Sequence, residues 1–457
     1  QTVNYINIML SQHLTRISIT FSYCKTPQLC STKLKHTMKN LVRSITVLGL
    51  LLIGFENSIL FCQADTMAME NKIKPIAPDS PIEMIKNVPW YENIKLRGYM
   101  QLRYNRLLET NPDLGCEQCD RSWGNNGGFF FRRIRLIFFG QIHPRIFLYV
   151  QPDFASSASA SNLHFAQIRD AYFDVGLDDK NEFRFRIGQS KVPFGFENMQ
   201  SSQNRLPLDR NDALNSAVAN ERDIGIFFYW APHRVRKMFS TFVNEGYKGS
   251  GDYGVFGLGV YNGQIANKPE ANNSSHVVAR LAYPFEIKNQ VFEPSVQAYR
   301  GLYTLENSQI SPGVSVRDDL TYLDQRLAVS TVLYPKPFGF QAEYNWGVGP
   351  QYNKHTNAIE SSPLQGGYVT FNARLKYQNQ FIYPFIRMQY YEGGKKHERD
   401  ARSYKVNEYE FGVEWLPYKN LEIVAMYTIS SRRYEDGLRP ENKQVGSLLR
   451  LQFQVNF

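Results

Sequence analysis

After residue 64 the chain has no apolar run approaching the ~20 residues a helix needs to cross a bilayer. That part of the chain therefore carries no helical membrane spans. Cysteine is nearly as scarce: of five, only Cys116 and Cys119 lie beyond residue 64. In an exported chain, a Cys-x-x-Cys pair in a polar loop reads as a small stapling disulfide. Half a zinc site is the rival, but no second ligand pair has suitable spacing, so no metal is expected. The histidines beyond residue 64 are His143, His164, His233, His276, His355 and His397. None sits in a context that suggests a nucleophile–base pair, so no catalytic residue and no cofactor are assigned. An excess of charge is missing too. The formal net of +10 falls to +5 for residues 65–457, 46 Lys and Arg against 41 Asp and Glu, and no nucleic-acid partner is implied.

What is present is aromatic and alternating. Phe, Trp and Tyr make up 14% of the chain while mean hydropathy is only −0.40. That pairing suits a barrel with an aromatic outer band and a polar interior, not a large dry core. From Ser447 onward, Leu449, Leu451, Phe453, Val455 and Phe457 share one parity; Arg450, Gln452, Gln454 and Asn456 share the other. Successive strand side chains point to opposite faces, so one face is apolar and the other polar. Such a strand fits the wall of a transmembrane barrel, or the edge of a soluble sandwich. Similar dyads recur at Ile94–Arg103, Phe183–Ile187, Val369–Tyr377 and Glu408–Trp415.

The front of the chain reads differently. Residues 1–37 show no sustained pattern and are taken as a non-native upstream extension. Met38, Lys39 and Arg43 precede the apolar run Ile45–Phe55, and Cys62-Gln63-Ala64 offers a cleavage site, so 38–64 reads as a secretory signal. Residues 65–93 form a short, proline-bearing periplasmic leader. From 94 to 457 the alternation predicts sixteen strands, with tight turns alternating with longer connections. Bacterial barrels keep short turns on the periplasmic side and long loops outside. One further candidate strand, 236–244, would invert every later connection, so 232–252 is placed as a longer periplasmic excursion. The fold class is all-β, a transmembrane up-and-down antiparallel β-barrel of sixteen strands, wide enough for a water-filled lumen. Its longest outer connection, the third, covers 191–222. It either folds inward as a constriction or stands disordered above the barrel.

The run Gly188-Gln189-Ser190-Lys191-Val192-Pro193-Phe194-Gly195-Phe196-Glu197 resembles the most recognisable motif of the phosphate-selective porin O/P family. Phe131-Arg132-Arg133-Ile134-Arg135, Asp170-Ala171-Tyr172, Arg222-Asp223-Ile224-Gly225-Ile226 and Tyr261-Asn262-Gly263 resemble further landmarks. The resemblance implies a sixteen-stranded outer-membrane channel of a Gram-negative bacterium, typically a homotrimer, passing phosphate or other anions. Parity places Arg133, Arg135, Arg184 and Arg186 inward as pore-lining, anion-binding candidates, with Lys191, Arg210 and Arg222 in or beside the long loop. Inward carboxylates include Asp170, Asp174, Glu408, Glu410 and Glu414. The arginines either line the pore or pair with Asp170 and Asp174. Seven inward cations lie on strands one, two and five and the carboxylates concentrate late, so one wall is expected basic and the other acidic. The expected function is passive diffusion of small hydrophilic solutes, with anions such as phosphate implied by the resemblance and outer-membrane lipid as the other partner. A plugged structural or secretion-associated barrel without open conductance is the alternative.

Overall fold

A computed structural model describes residues 89–116, 128–155, 164–218 and 222–457, all within one unit of the chain, Ile76–Phe457. The expected extension 1–37, the signal 38–64, most of the leader 65–93, and Cys119 lie outside those residues.

Eighteen strand segments form one sheet. Two of them, Phe285–Ile287 and Leu375–Tyr377, continue the strand before them and pair with the same neighbour, which leaves sixteen staves. They are β1 (Lys95–Leu107), β2 (Phe129–His143), β3 (Ile146–Asp153), β4 (Gln167–Gly176), β5 (Phe183–Lys191), β6 (Arg222–Trp230), β7 (Phe256–Tyr261) and β8 (His276–Ala282 with Phe285–Ile287). The second half holds β9 (Gln290–Thr304), β10 (Thr321–Leu333), β11 (Phe338–Asn353), β12 (Ala358–Ala373 with Leu375–Tyr377), β13 (Gln380–Gly394), β14 (Ser403–Tyr418), β15 (Leu421–Glu435) and β16 (Lys443–Asn456). Every stave pairs antiparallel with its sequence neighbours. β1 also pairs with β16, Tyr99 opposite Asn456 and Leu102 opposite Phe453, so the sheet closes on itself. Closure removes the unpaired edges that an open sheet of this size would expose.

Side-chain alternation dictates which face is which. Along β14, Tyr409 and Phe411 are exposed while Glu408, Glu410 and Glu414 are buried. Leu96, Ile224, Ile226, Val329, Phe371 and Val455 likewise stand on the outside. Apolar outside and charged inside reverses the order of a soluble protein and is stable only with lipid around the ring. Among the described residues no helix is long and apolar enough to cross a membrane.

All sixteen expected strands are present, but the later ones run further than alternation indicated. β11 and β12 stay paired from Phe338 opposite Ala373 out to Asn353 opposite Ala358, so the loop expected at 347–366 shrinks to residues 354–357. Sixteen residues at ~3.4 Å each, even tilted by ~45°, overtop an apolar band ~25 Å tall. The outer part of such a stave has water on both sides, so its sequence loses the alternation that marks the membrane-embedded part.

Among the described residues three α-helices interrupt the connections: α1 (Phe196–Met199), α2 (Asp212–Ala217) and α3 (His233–Asn244). The last lies in the excursion 232–252, where the sequence reading rejected a strand at 236–244 and considered no helix. Val235, Phe239 and Phe242 fall on one helical face and pack with Val255, Val291, Val332 and Tyr334.

Candidate functional site: the inner wall and residues 192–218

Gly195 adopts φ +81°, a conformation that favours glycine, and turns the chain from Phe194 into α1. The amide of Phe196 donates to Glu343 on β11 at 2.7 Å. Glu197 accepts from the amide and side chain of Asn211 at 2.7 and 2.9 Å, and pairs with Arg387 of β13 at 2.9 Å. Asn211 caps α2 by accepting from Leu214 N at 3.0 Å. At the other end of α2, Arg326 of β10 donates to Ala213 O, Ser216 Oγ and Ser216 O at 2.9, 2.7 and 3.0 Å.

Two loop aspartates complete the attachment. Asp209 pairs with Arg450 of β16, and with Arg103 of β1 at 3.5 Å. Asp212 takes Arg432 of β15 in two bonds of 3.0 and 2.7 Å and also pairs with Lys395. Burial alone would raise both carboxyls, but the guanidinium and ammonium charges beside them outweigh it and hold both well below the usual carboxylate range. Leu206 and Leu208 pack on Tyr383, Phe385, Val424 and Met426, and Val192, Phe194 and Leu214 on Phe227, Tyr229 and Tyr299. The segment is thus bonded to or packed on inward residues from β1, β6, β9–β11, β13, β15 and β16.

The residues singled out from sequence fall into distinct environments. Arg133 is buried on the inner face of β2 and donates to Gln101 Oε1 at 2.7 Å. Among the described residues no carboxylate lies within ion-pair distance of it. Arg135 pairs with Asp153 at 2.9 Å and donates to Tyr99 and to Ser202 of the loop at 2.8 and 3.2 Å. Arg186 grips Asp174 with two bonds of 2.8 and 2.9 Å and lies over the Tyr172 ring at 4.0 Å. Arg184 pairs with Asp252 at 2.9 Å, Asp174 being 3.7 Å away. Arg222 holds Asp170 through bonds of 2.8–3.1 Å. Lys191 donates to Met199 O and Gln200 O, closing the end of α1. Arg210 donates to Asn198 Oδ1 and Val218 O at 3.2 and 3.0 Å. Cys116 is disulfide-bonded.

Three late carboxylates have cationic neighbours: Glu408 has Arg432 at 2.9 Å, shared with Asp212; Glu410 has Arg387 at 2.5 Å, shared with Glu197; and Glu414 has Lys248. Sequence reasoning missed the cations Arg387, Arg432, Lys395 and Lys396 and the carboxylate Asp153. Arg387 shares its parity with Tyr383 and Phe385, inward aromatics that seat the loop, so apolar residues on the lumen side blurred the signal. At the outer end, Arg399, Arg402 and Arg439 with Tyr404 and Tyr434 line a cavity of about 330 Å³ beside Cys116.

A family profile described as phosphate-selective porin O and P matches residues 111–457. No curated protein matches the chain. Among solved structures, Salmonella typhi OmpF in complex with daunomycin is 13% identical with a TM-score of 0.51, covering 80% of this chain and 97% of that one. The outer membrane channel DcaP of Acinetobacter baumannii is 15% identical (TM-score 0.49; 80% and 97%). An anion-selective porin from Comamonas acidovorans is 9% identical (TM-score 0.45; 80% and 99%). At such identity the OmpF likeness shows the barrel fold alone. A closed ring of sixteen staves, apolar without and charged within, agrees with the family match: this chain belongs to the phosphate-selective porin O and P family, outer-membrane channels for small solutes in Gram-negative bacteria.

Proposed function

We propose that the protein is a passive channel favouring small anions, with residues 191–222 as its constriction and Arg133 as its principal anion contact. One observation carries the reading: Arg133 is buried on the inner wall with a neutral partner, in register with Gln101 and two residues from Arg135 on the same face. A guanidinium with unspent donors and no adjacent carboxylate attracts phosphate oxygens in a forked geometry. Arg135 and Arg103 stand beside it but are paired with Asp153 and Asp209, as Arg184, Arg186 and Arg222 are with Asp252, Asp174 and Asp170. The constriction reading is supported by the ring of attachments from Glu197, Asp209 and Asp212 to Arg387, Arg450 and Arg432. The outer cavity adds Arg399 and Arg439 near the entrance, beside Arg402, which is paired with Glu398 and Asp436. Transport then needs no covalent chemistry and no cofactor; solute moves down its gradient. Homotrimeric assembly in outer-membrane lipid goes with the reading, supported by the exposed apolar belt and by the family's usual assembly. Residues 38–64 serve as the secretory signal, and Cys116 with Cys119 as the staple of the first outer loop.

Reversal potentials in a salt gradient test it. The native channel should prefer chloride and phosphate over potassium, and Arg133→Gln should reduce that preference several-fold. Cation preference in the native protein, unchanged by the substitution, sinks the proposal. The plugged barrel keeps one observation in its favour, the buried apolar clusters between 192–218 and the inner wall. It predicts no stepwise current in planar bilayers.

A further inference from the structure

The connection between β6 and β7 does more than reverse the chain. It starts at the end of the ring that carries the short turns: His233 N donates to Glu182 at 2.8 Å, and Arg236 bonds Asn181 O and Asp252 at 2.7 and 2.8 Å. α3 then brings Phe242 onto the ring of Tyr334, centroids 4.0 Å apart, in the turn between β10 and β11. Beyond the helix, Tyr247 lies under Arg374 at 4.7 Å, and Gly246 O accepts from Tyr383 of β13 at 3.0 Å. Lys248 reaches Glu414 on β14, with Glu422 of β15 in its electrostatic field. β14 stands eight staves from β6, half the circumference of a ring of sixteen. A segment rooted in β6 and β7 yet bonded to β14 must cross the opening from one wall to the other. Its route also meets the long loop, where Gln200 Nε2 donates to Lys248 O at 2.6 Å.

We propose that residues 232–254 form a second constriction, a strap across the periplasmic mouth, and that Lys248 sets the sign of the ions it admits. The proposal rests on the channel reading above. Two narrow stretches in series add their resistances, so removing the strap raises conductance the more, the larger its share of the total. At the strap, the Lys248 ammonium is the counter-charge for Glu414, whose second oxygen has no hydrogen-bond partner among the described residues. Without Lys248 the far wall presents Glu414 and Glu422 uncompensated to solute, which repels anions and draws cations.

Two variants and one compensating double variant in planar bilayers, checked for folding by heat-modifiable gel mobility, decide the matter. Replacing 233–252 with a four-residue turn should raise single-channel conductance about twofold or more. Lys248→Met should leave conductance near the native level while moving the reversal potential toward cations, and adding Glu414→Gln should reverse that movement. A native channel that conducts, with both variants indistinguishable from it, overturns the strap and leaves the channel standing. A silent native protein whose strapless variant conducts confirms the strap as the closure and overturns the open-channel reading. Silence in all variants overturns both.

Discussion

At Asp209 a single carboxylate answers two arginines, Arg103 and Arg450, that approach from adjacent staves. Asp209→Asn should remove a carboxylate from Arg103 and from Arg450, which keeps Glu410 at 3.8 Å, and cost about 1–3 kcal/mol of local stability, seen as easier trypsin cleavage at Arg205 and Arg210. Acid acts through the same group. Asp209 and Asp212 are held below their unfolded values, so their contribution is complete above the ordinary carboxylate pKa and is lost as pH falls toward the depressed folded values. Protection of the loop from proteolysis, assayed with an acid-active protease, should therefore be flat from neutrality to about pH 5 and decline below about pH 4. In the double variant Asp209→Asn with Asp212→Asn that decline should largely vanish, leaving uniformly lower protection; an unaltered acid profile in that variant rules the two aspartates out. Arg186 teaches the complementary lesson: its parity was legible, but its grip on Asp174 was one of two open readings, because alternation reports a face and not a partner.

Short helices in the loop are held by their ends, not by their length, since six residues cannot sustain a helix alone. Asn211→Ala removes the cap of α2 and should cost about 1 kcal/mol, read as noisier open-channel current and faster loop proteolysis at unchanged barrel stability. Gly195→Ala should act more strongly, because a Cβ there meets Leu214 Cδ1 at 2.2 Å and φ is +81°. Strand existence was legible throughout because lipid on one side and water on the other impose a period of two. Strand length was not legible above the bilayer, where β11 and β12 have no lipid face. α3 escaped for a related reason: its apolar face, Val235, Met238, Phe239 and Phe242, is set among Arg234, Arg236 and Lys237, and strand parity was the only pattern tested against it. Attachments between the loop and the wall span more than a hundred residues of sequence, as from Asp212 to Arg432, and no local pattern encodes them.

For the molecule as a whole the decisive contact is the seam between β1 and β16. Gly98 N donates to Phe457 O at 2.7 Å and Gly98 O accepts from Phe457 N at 3.0 Å. A Cβ on Gly98 would sit 2.6 Å from Arg135 O and from the Phe457 ring. Gly98→Val should therefore impair closure, lowering the yield of heat-modifiable barrel on refolding in detergent by several-fold; an undiminished yield counts against the seam as the weak point. This pairing joins strands made first and last. Until both exist, every intermediate presents two adhesive margins and a greasy exterior to the aqueous compartment it must traverse. Loop-closure entropy is then spent near the end of assembly, which makes maturation slow and aggregation a standing competitor. Such a cylinder depends on being escorted unfolded to its membrane, and its permanence once shut is the counterpart of that vulnerability.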